Sequence, residues 1–315
     1  MASTQDGNPP GNAVSGNADP GNAVPGNAVP GAAASVNTGT VTPAREHGLL
    51  RSLVADPGFG PLPALLLLLT VVTGVVDAVS ILALGRVFVA NMTGNVVFAA
   101  FAVSGAPGFS LGSSLFALAG FLIGAYAGGL MIARTGSSPA STDRGALMRM
   151  GSLAELALAA VALIIAAAAG YPGASTGTLH MTAGAFPAAA TDILALLLAI
   201  ALGIQNAVAR KLAVPDLTTT VLTMTLTGLG ADLRAVTRGT GPGGAGKKAA
   251  RAALSRRLLA VATMVVGAVA GALLTLHVSP VSGLSLATAL LAVAAITSVT
   301  ATRRPAPWRT PTPKS

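Results

Sequence analysis

Six long apolar runs alternate with two weaker ones along this chain. The strong runs cover about 62–84, 111–133, 150–169, 190–209, 258–277 and 282–301. Each approaches the roughly 20 residues that a helix needs to cross a hydrocarbon core. The weaker runs, about 87–104 and 217–233, are interrupted by polar residues: Asn91, Thr93, Gly94 and Asn95 in the first, Thr218 to Thr220, Thr223 and Thr225 in the second. This pattern predicts an all-α integral membrane fold of about six transmembrane helices plus two re-entrant or broken segments, with eight crossings as the alternative. Residues 1–60 are different material. Pentapeptides such as Gly16 to Pro20, Gly21 to Pro25 and Gly26 to Pro30 carry nothing large to bury, which predicts a disordered tail. The helical domain is then 61–302, followed by a short basic tail at 303–315.

The polar interruptions come in two similar sets. Gly74-Val75-Val76-Asp77 precedes the first weak run, and Gly203-Ile204-Gln205-Asn206 precedes the second. Polar residues are costly in lipid, so their recurrence at nearly equal spacing predicts an internal repeat with halves at about 62–169 and 190–301. Gly120, Gly124 and Gly128, echoed by Gly267 and Gly271, have the small-residue spacing of close helix packing, either inside the bundle or at a homo-oligomer interface.

Charge decides between the topologies. With six crossings and cytoplasmic termini, every one of the 19 lysines and arginines except Arg86 falls on the cytoplasmic side; with eight, Arg134, Arg144, Arg149, Arg210 and Lys211 join Arg86 outside. The bias of basic residues towards the cytoplasm favours six. Three crossings per half then make the halves inverted repeats. A net charge of +9 raises the question of nucleic acid, but aromatics are only 3% and the basic residues lie between apolar runs, so the expected partner is the lipid bilayer. The overall balance of 52% hydrophobic and 9% charged residues agrees with that placement.

Candidate chemistry is sparse. Cysteine is absent, and His47, His180 and His277 lack metal-ligand spacing, so neither a metal nor a cofactor is expected. There is no nucleophile elbow, phosphate loop or zinc-protease motif, and no enzyme activity is expected. What remains is a set of polar residues suited to a small polar solute or an ion. Asp77, Asn91, Thr93, Gly94 and Asn95 approach from one face; Gln205, Asn206, Thr220 and Thr223 approach from the other. Asp77 and Thr93 each fall about 12 Å below the outer surface, at 1.5 Å per residue, and are expected to meet. Asp77 could carry a coupling proton or cation, or tie two elements together through the Thr-Gly-Asn turn. Glu155 is expected to pair with Arg149 or Arg144, and Asp192 to cap a helix start.

At these motifs the chain resembles the YoaK-like family of bacterial multi-pass membrane proteins, a domain of unknown function. The resemblance rests on Gly74-Val75-Val76-Asp77-Ala78, on Phe88 to Asn95, and on Gly203-Ile204-Gln205-Asn206-Ala207 leading to Leu217 to Thr223. It covers about 62–302 and implies a bacterial inner membrane location without a defined substrate. Members often carry Thr-Gly-Thr where this chain has Thr223-Met224-Thr225. A secondary transporter or facilitator is the expected function, and a membrane scaffold or sensor the alternative.

Overall fold

Leucine- and alanine-rich runs without internal proline favour unbroken helices, and short polar residues set where they begin. A computed structural model describes residues 58–136, 142–170, 185–214, 225–230, 233, 244–303 and 306–309. Its helices are α1 Leu62–Ala83, α2 Met92–Val103, α3 Leu111–Thr135, α4 Arg144–Ala169, α5 Ala188–Leu212, α6 Gly244–His277 and α7 Pro280–Thr302. Ser110 caps α3 by accepting from Ser113 N at 3.2 Å, Asp143 caps α4 by accepting from Ala146 N at 2.9 Å, and Ser279 caps α7 by accepting from Ser282 N at 3.2 Å. Asp192 does not cap α5, as its position near the helix start suggested: Pro187 occupies the cap, and Asp192 accepts from Ser113 Oγ at 2.6 Å, tying α5 to α3.

Among the described residues, six helices are long and apolar enough to cross a membrane. The seventh, α2, has 12 residues, or about 18 Å, short of the roughly 30 Å hydrocarbon core. The chain leaves α1 through two successive left-handed residues, Gly85 (φ 74°) and Arg86 (φ 60°). It then re-enters the bundle, burying Val87, Val89 and Ala90 before α2. Ala185 N donates to Ala83 O at 2.7 Å, while Ser113 reaches Asp192, so the end of α1 and the start of α3 both lie at the start of α5. The 84–110 segment therefore leaves and returns at one end of the bundle. Of the second weak run only 225–230, helical, and 233 are described.

Helix pairing is exchanged between the halves. α1 packs in parallel against α6, and α3 in parallel against α5, each through a glycine seam. A Cβ on Gly74 would lie 2.7 Å from Ala268 N; one on Gly203 would lie 2.9 Å from Ala125 N. One on Gly267 would meet Val71 Cα at 3.0 Å, and one on Gly124 would meet Ile200 Cα at 2.9 Å. Gly271 against Val75 likewise matches Gly128 against Ile204 and Ala207. A third match joins the remaining helices, Gly283 of α7 against Val79 of α1 and Gly151 of α4 against Val208 of α5. These contacts recur at constant sequence offsets, matching positions of α1 with α5, of α3 with α6 and of α4 with α7. Gly120 faces Leu196 and Ala199 in the α3–α5 seam, so the glycines predicted to pack face neighbouring helices of the same chain.

The equivalent helices also share a position. Within their most apolar stretches α1 is 67% and α5 56% buried, against 22–33% for the four outer helices, whose Leu122, Ile164, Val266 and Ile296 face outward as a lipid-facing perimeter would. At the end where α1 starts, Arg144, Arg149, Arg210, Lys211, Arg257 and Arg303 gather, with Arg134 at the end of α3; the opposite end has Arg86.

Candidate functional site

Residues three and four apart share a helix face, and on α1 that spacing lines up Thr70, Thr73, Asp77 and Ser80 as a polar stripe inside an apolar helix. Thr70 Oγ1 donates to Leu66 O at 2.8 Å and Thr73 Oγ1 to Leu69 O at 3.0 Å, the back-bonding by which threonine is accommodated in a buried helix. Thr73, fully buried, also accepts from Gln205 Nε2 at 2.9 Å. That bond ties the two central helices together. Gln205 Oε1 remains buried without a partner.

The backbone amides of Ala90 and Val89 lie close to the Asp77 carboxyl, and its Oδ1 is buried without a hydrogen-bond partner among the described residues. It does not meet Thr93, the contact expected from depth alone: the chain reaches Asp77 two residues before the Thr-Gly-Asn block, and Thr93 is exposed. Asn91 is also exposed, and as the α2 cap its side chain accepts from Gly94 N at 3.4 Å. Asn95 is the buried member. Its Oδ1 accepts from Phe88 N at 2.9 Å and its Nδ2 donates to Phe88 O at 2.5 Å, so one amide satisfies both backbone groups of a residue that belongs to no helix. Gly94 makes room for the same residue, since a Cβ there would fall 2.5 Å from the Phe88 ring. Phe88 stacks on Phe98 at 5.5 Å, and Phe101 and Phe109 complete an aromatic cluster beside Arg86. The Thr-Gly-Asn block is thus a clasp that holds the re-entrant segment in place for Asp77.

The second set is less complete. Asn206 donates to Leu202 O of its own helix at 2.8 Å, and Thr225 is buried; Thr220 and Thr223 lie outside the described residues. Among the described residues, Gln205 and Thr73 join the two central helices that carry these sets.

Glu155 does not have the partner that its sequence neighbours suggest. It forms no ion pair with Arg144 or Arg149 among the described residues; Arg144 instead stacks on Phe59 at 4.7 Å and donates to Gly58 O at 3.4 Å. Helix geometry explains the failure. Arg149 lies six residues back, on another face, and Arg144 lies eleven residues back, on the same face but about 16 Å away. Glu155 is 1% exposed, Oε2 has no partner among the described residues, and the side chain lines a cavity of about 10 Å³ between α1, α4, α5 and α7. An acid in the middle of an apolar run was the available signal; its lack of a partner depends on which helices surround it.

At the basic end, Arg309 closes on Asp143 through Nη2 to Oδ2 and Nε to Oδ1, the latter at 3.2 Å. Burial pushes the Asp143 carboxyl up, but the Arg309 hydrogen bond and charge and the Ala146 amide outweigh it and hold it below its usual range. The ring of Trp308 covers Gly60, so the two ends of the helical domain meet here. Among the described residues no three His, Cys, Asp or Glu side chains gather to hold a metal ion.

A family model described as a protein of unknown function (DUF1275) matches residues 65–297, from the first turn of α1 to the last turns of α7. The chain belongs to the DUF1275 family. A DUF1275-like relative, the UPF0700 transmembrane protein YoaK of Bacillus subtilis (strain 168), is 33% identical over 171 residues, which cover 54% of this chain and 66% of that protein. No solved structure matches. The DUF1275 protein described here is therefore a multi-pass membrane protein, on the strength of both its six apolar helices and its transmembrane relative.

Proposed function

We propose that this protein is a secondary transporter or facilitator of a small polar solute in a bacterial cytoplasmic membrane, rather than an enzyme, built as an inverted repeat with both termini cytoplasmic. The observation that carries this reading is the exchanged pair of glycine seams. The matched contacts make α1 with α6 and α5 with α3 equivalent two-helix units, and α1 and α5 run in opposite directions. Two equivalent units around a polar centre are the construction that alternating access uses. The unpartnered oxygens of Asp77 and Gln205 supply acceptors near that centre, and the cluster of basic side chains at the end where α1 starts supports a cytoplasmic location for that end.

Thermal unfolding in detergent against a panel of amino acids, sugars, polyols and organic ions tests the reading. A solute present at 100 times its Kd adds about 2.7 kcal/mol to the folded state. The stabilising solute should then enter proteoliposomes, with flux lost in Asp77→Asn. A scaffold or sensor is the second reading, favoured by the way Asn95 closes on the backbone of Phe88 and Asn206 donates to its own helix. In that case no solute stabilises the protein, and Asp77→Asn lowers its melting temperature alone.

A further inference from the structure

Glu155 is the buried acid that the proposed solute site leaves unused. Its cavity sits where the two halves meet: Val72 and Ala201 are equivalent positions under the repeat, as are Glu155 and Ala287, and all four line it. Glu155 and Thr288 are its polar walls, and their counterparts at the same offset, Ala287 and Leu156, are apolar. At about 10 Å³ it has room for roughly one water molecule.

A carboxylate here would have nothing to stabilise it. Desolvating an unpaired charge is costly, and among the described residues no cation lines the cavity. On the surrounding elements the titratable or charged residues are Asp77 of α1; Tyr126 and Arg134 of α3; Arg144 and Arg149 of α4; Asp192, Arg210 and Lys211 of α5; α7 has none. None of them borders the cavity. Thr288, the other polar wall, spends its hydroxyl proton on Leu284 O at 2.8 Å and therefore offers only lone pairs. Among the described residues a carboxylate would find no donor on these walls.

We infer that Glu155 is a proton-binding site, holding a proton while the cavity is closed and exchanging it with water when the two glycine-seamed units part. The exchange step rests on the transporter reading; the protonated state does not. On opening, the O–H bond of the acid breaks, the proton passes to water and the carboxylate is left hydrated. On closing, the reverse transfer restores the neutral acid. A proton carried in this way is the coupling ion of the proposed solute movement.

Infrared spectroscopy of the protein in lipid near neutral pH reads the protonated state directly. The expected result is a carboxylic acid carbonyl band that is lost in Glu155→Gln, kept in Asp77→Asn, and shifted in the wild type after transfer to D2O. A spectrum in which Glu155→Gln removes only carboxylate intensity overturns the proposal, and so does an acid band that never shifts in D2O. Dicyclohexylcarbodiimide, which reacts with protonated carboxyls in apolar sites, tests the wild type without any substitution. Mass spectrometry should find it on the peptide containing Glu155, and a peptide left unmodified counts against the neutral acid. In proteoliposomes, Glu155→Gln should keep solute exchange and lose acceleration by an imposed proton gradient; an unchanged response overturns the coupling role. If no solute moves at all, the transport reading fails while the infrared and labelling results still decide the proton site.

Discussion

Adding one methyl group to a glycine seam measures how tightly the two halves hold each other. In Gly124→Ala the new Cβ falls 2.8 Å from the carbonyl carbon and 2.9 Å from Cα of Ile200, closer than such atoms approach in real structures. These are backbone atoms of a buried helix and cannot rotate aside, so α3 and α5 must separate. Overpacking of this kind costs about 1–3 kcal/mol. Alanine also favours the helix over glycine by about 1 kcal/mol, which would mask part of the cost. Gly129→Ala removes that ambiguity, because Gly129 lies on the same helix with nothing within 4 Å of its Cβ position. The difference between the two variants cancels the propensity term and isolates the seam. Thermal unfolding in detergent, followed as loss of the monodisperse species, should place Gly124→Ala below Gly129→Ala by about 1–3 kcal/mol. Gly267→Ala, whose Cβ would meet Val71 in the same way, should fall beside Gly124→Ala. Equal stability of the Gly124 and Gly129 variants would refute the seam as a tight contact, and a Gly267 variant as stable as Gly129→Ala would refute the equivalence of the two seams.

Asn95→Ala should cost about 2–4 kcal/mol by stranding both backbone groups of Phe88, whereas Thr93→Ala, on the exposed side of the same block, should change stability by less than about 0.5 kcal/mol; chemical unfolding of the two variants separates them. The Asp143–Arg309 pair is partly exposed and should contribute about 1 kcal/mol or less at neutral pH. Because the folded state holds Asp143 below its usual range, that contribution is present above the unfolded value of about 3.9 and is lost as pH falls through the folded value, so the advantage of the wild type over Arg309→Ala should vanish in acid. The chain has no native cysteine, so Ser104→Cys and Gly230→Cys, both at exposed positions, can be labelled with an impermeant thiol reagent; Ser104→Cys should react from outside and Gly230→Cys only after permeabilisation.

The six long helices were legible because each contains one long apolar run, and α2 because its run is short and interrupted. The site was legible only in part. Asp77 stood out as an acid in lipid-like sequence, but its nearest polar neighbours are backbone amides of Val89 and Ala90, and backbone groups leave no mark in composition. The role of Asn95 depends on Phe88 sitting outside any helix, which follows from the left-handed turn at Gly85 and Arg86. The spacing of Gly120, Gly124 and Gly128 announces close packing and says nothing about which helix supplies the partner. Glu155 was visible as an acid, and pairing it with the nearest arginines failed because proximity along a helix is not proximity around it.

The crossed pairing of the seams also sets an order of assembly. α1 is synthesised first, yet the glycine face at Gly74 is matched by Gly267 and Gly271, which emerge near the end of the chain. At about 5–20 residues per second, α3 and α5 can dock while α1 still has only lipid against that face. A ribosome that stops after the first half therefore leaves α1, α3 and α4 without their long-term neighbours, and neither half is a self-sufficient folding unit. The first helix to enter the bilayer is among the last to be fully enclosed, and its burial reports that translation has reached α6.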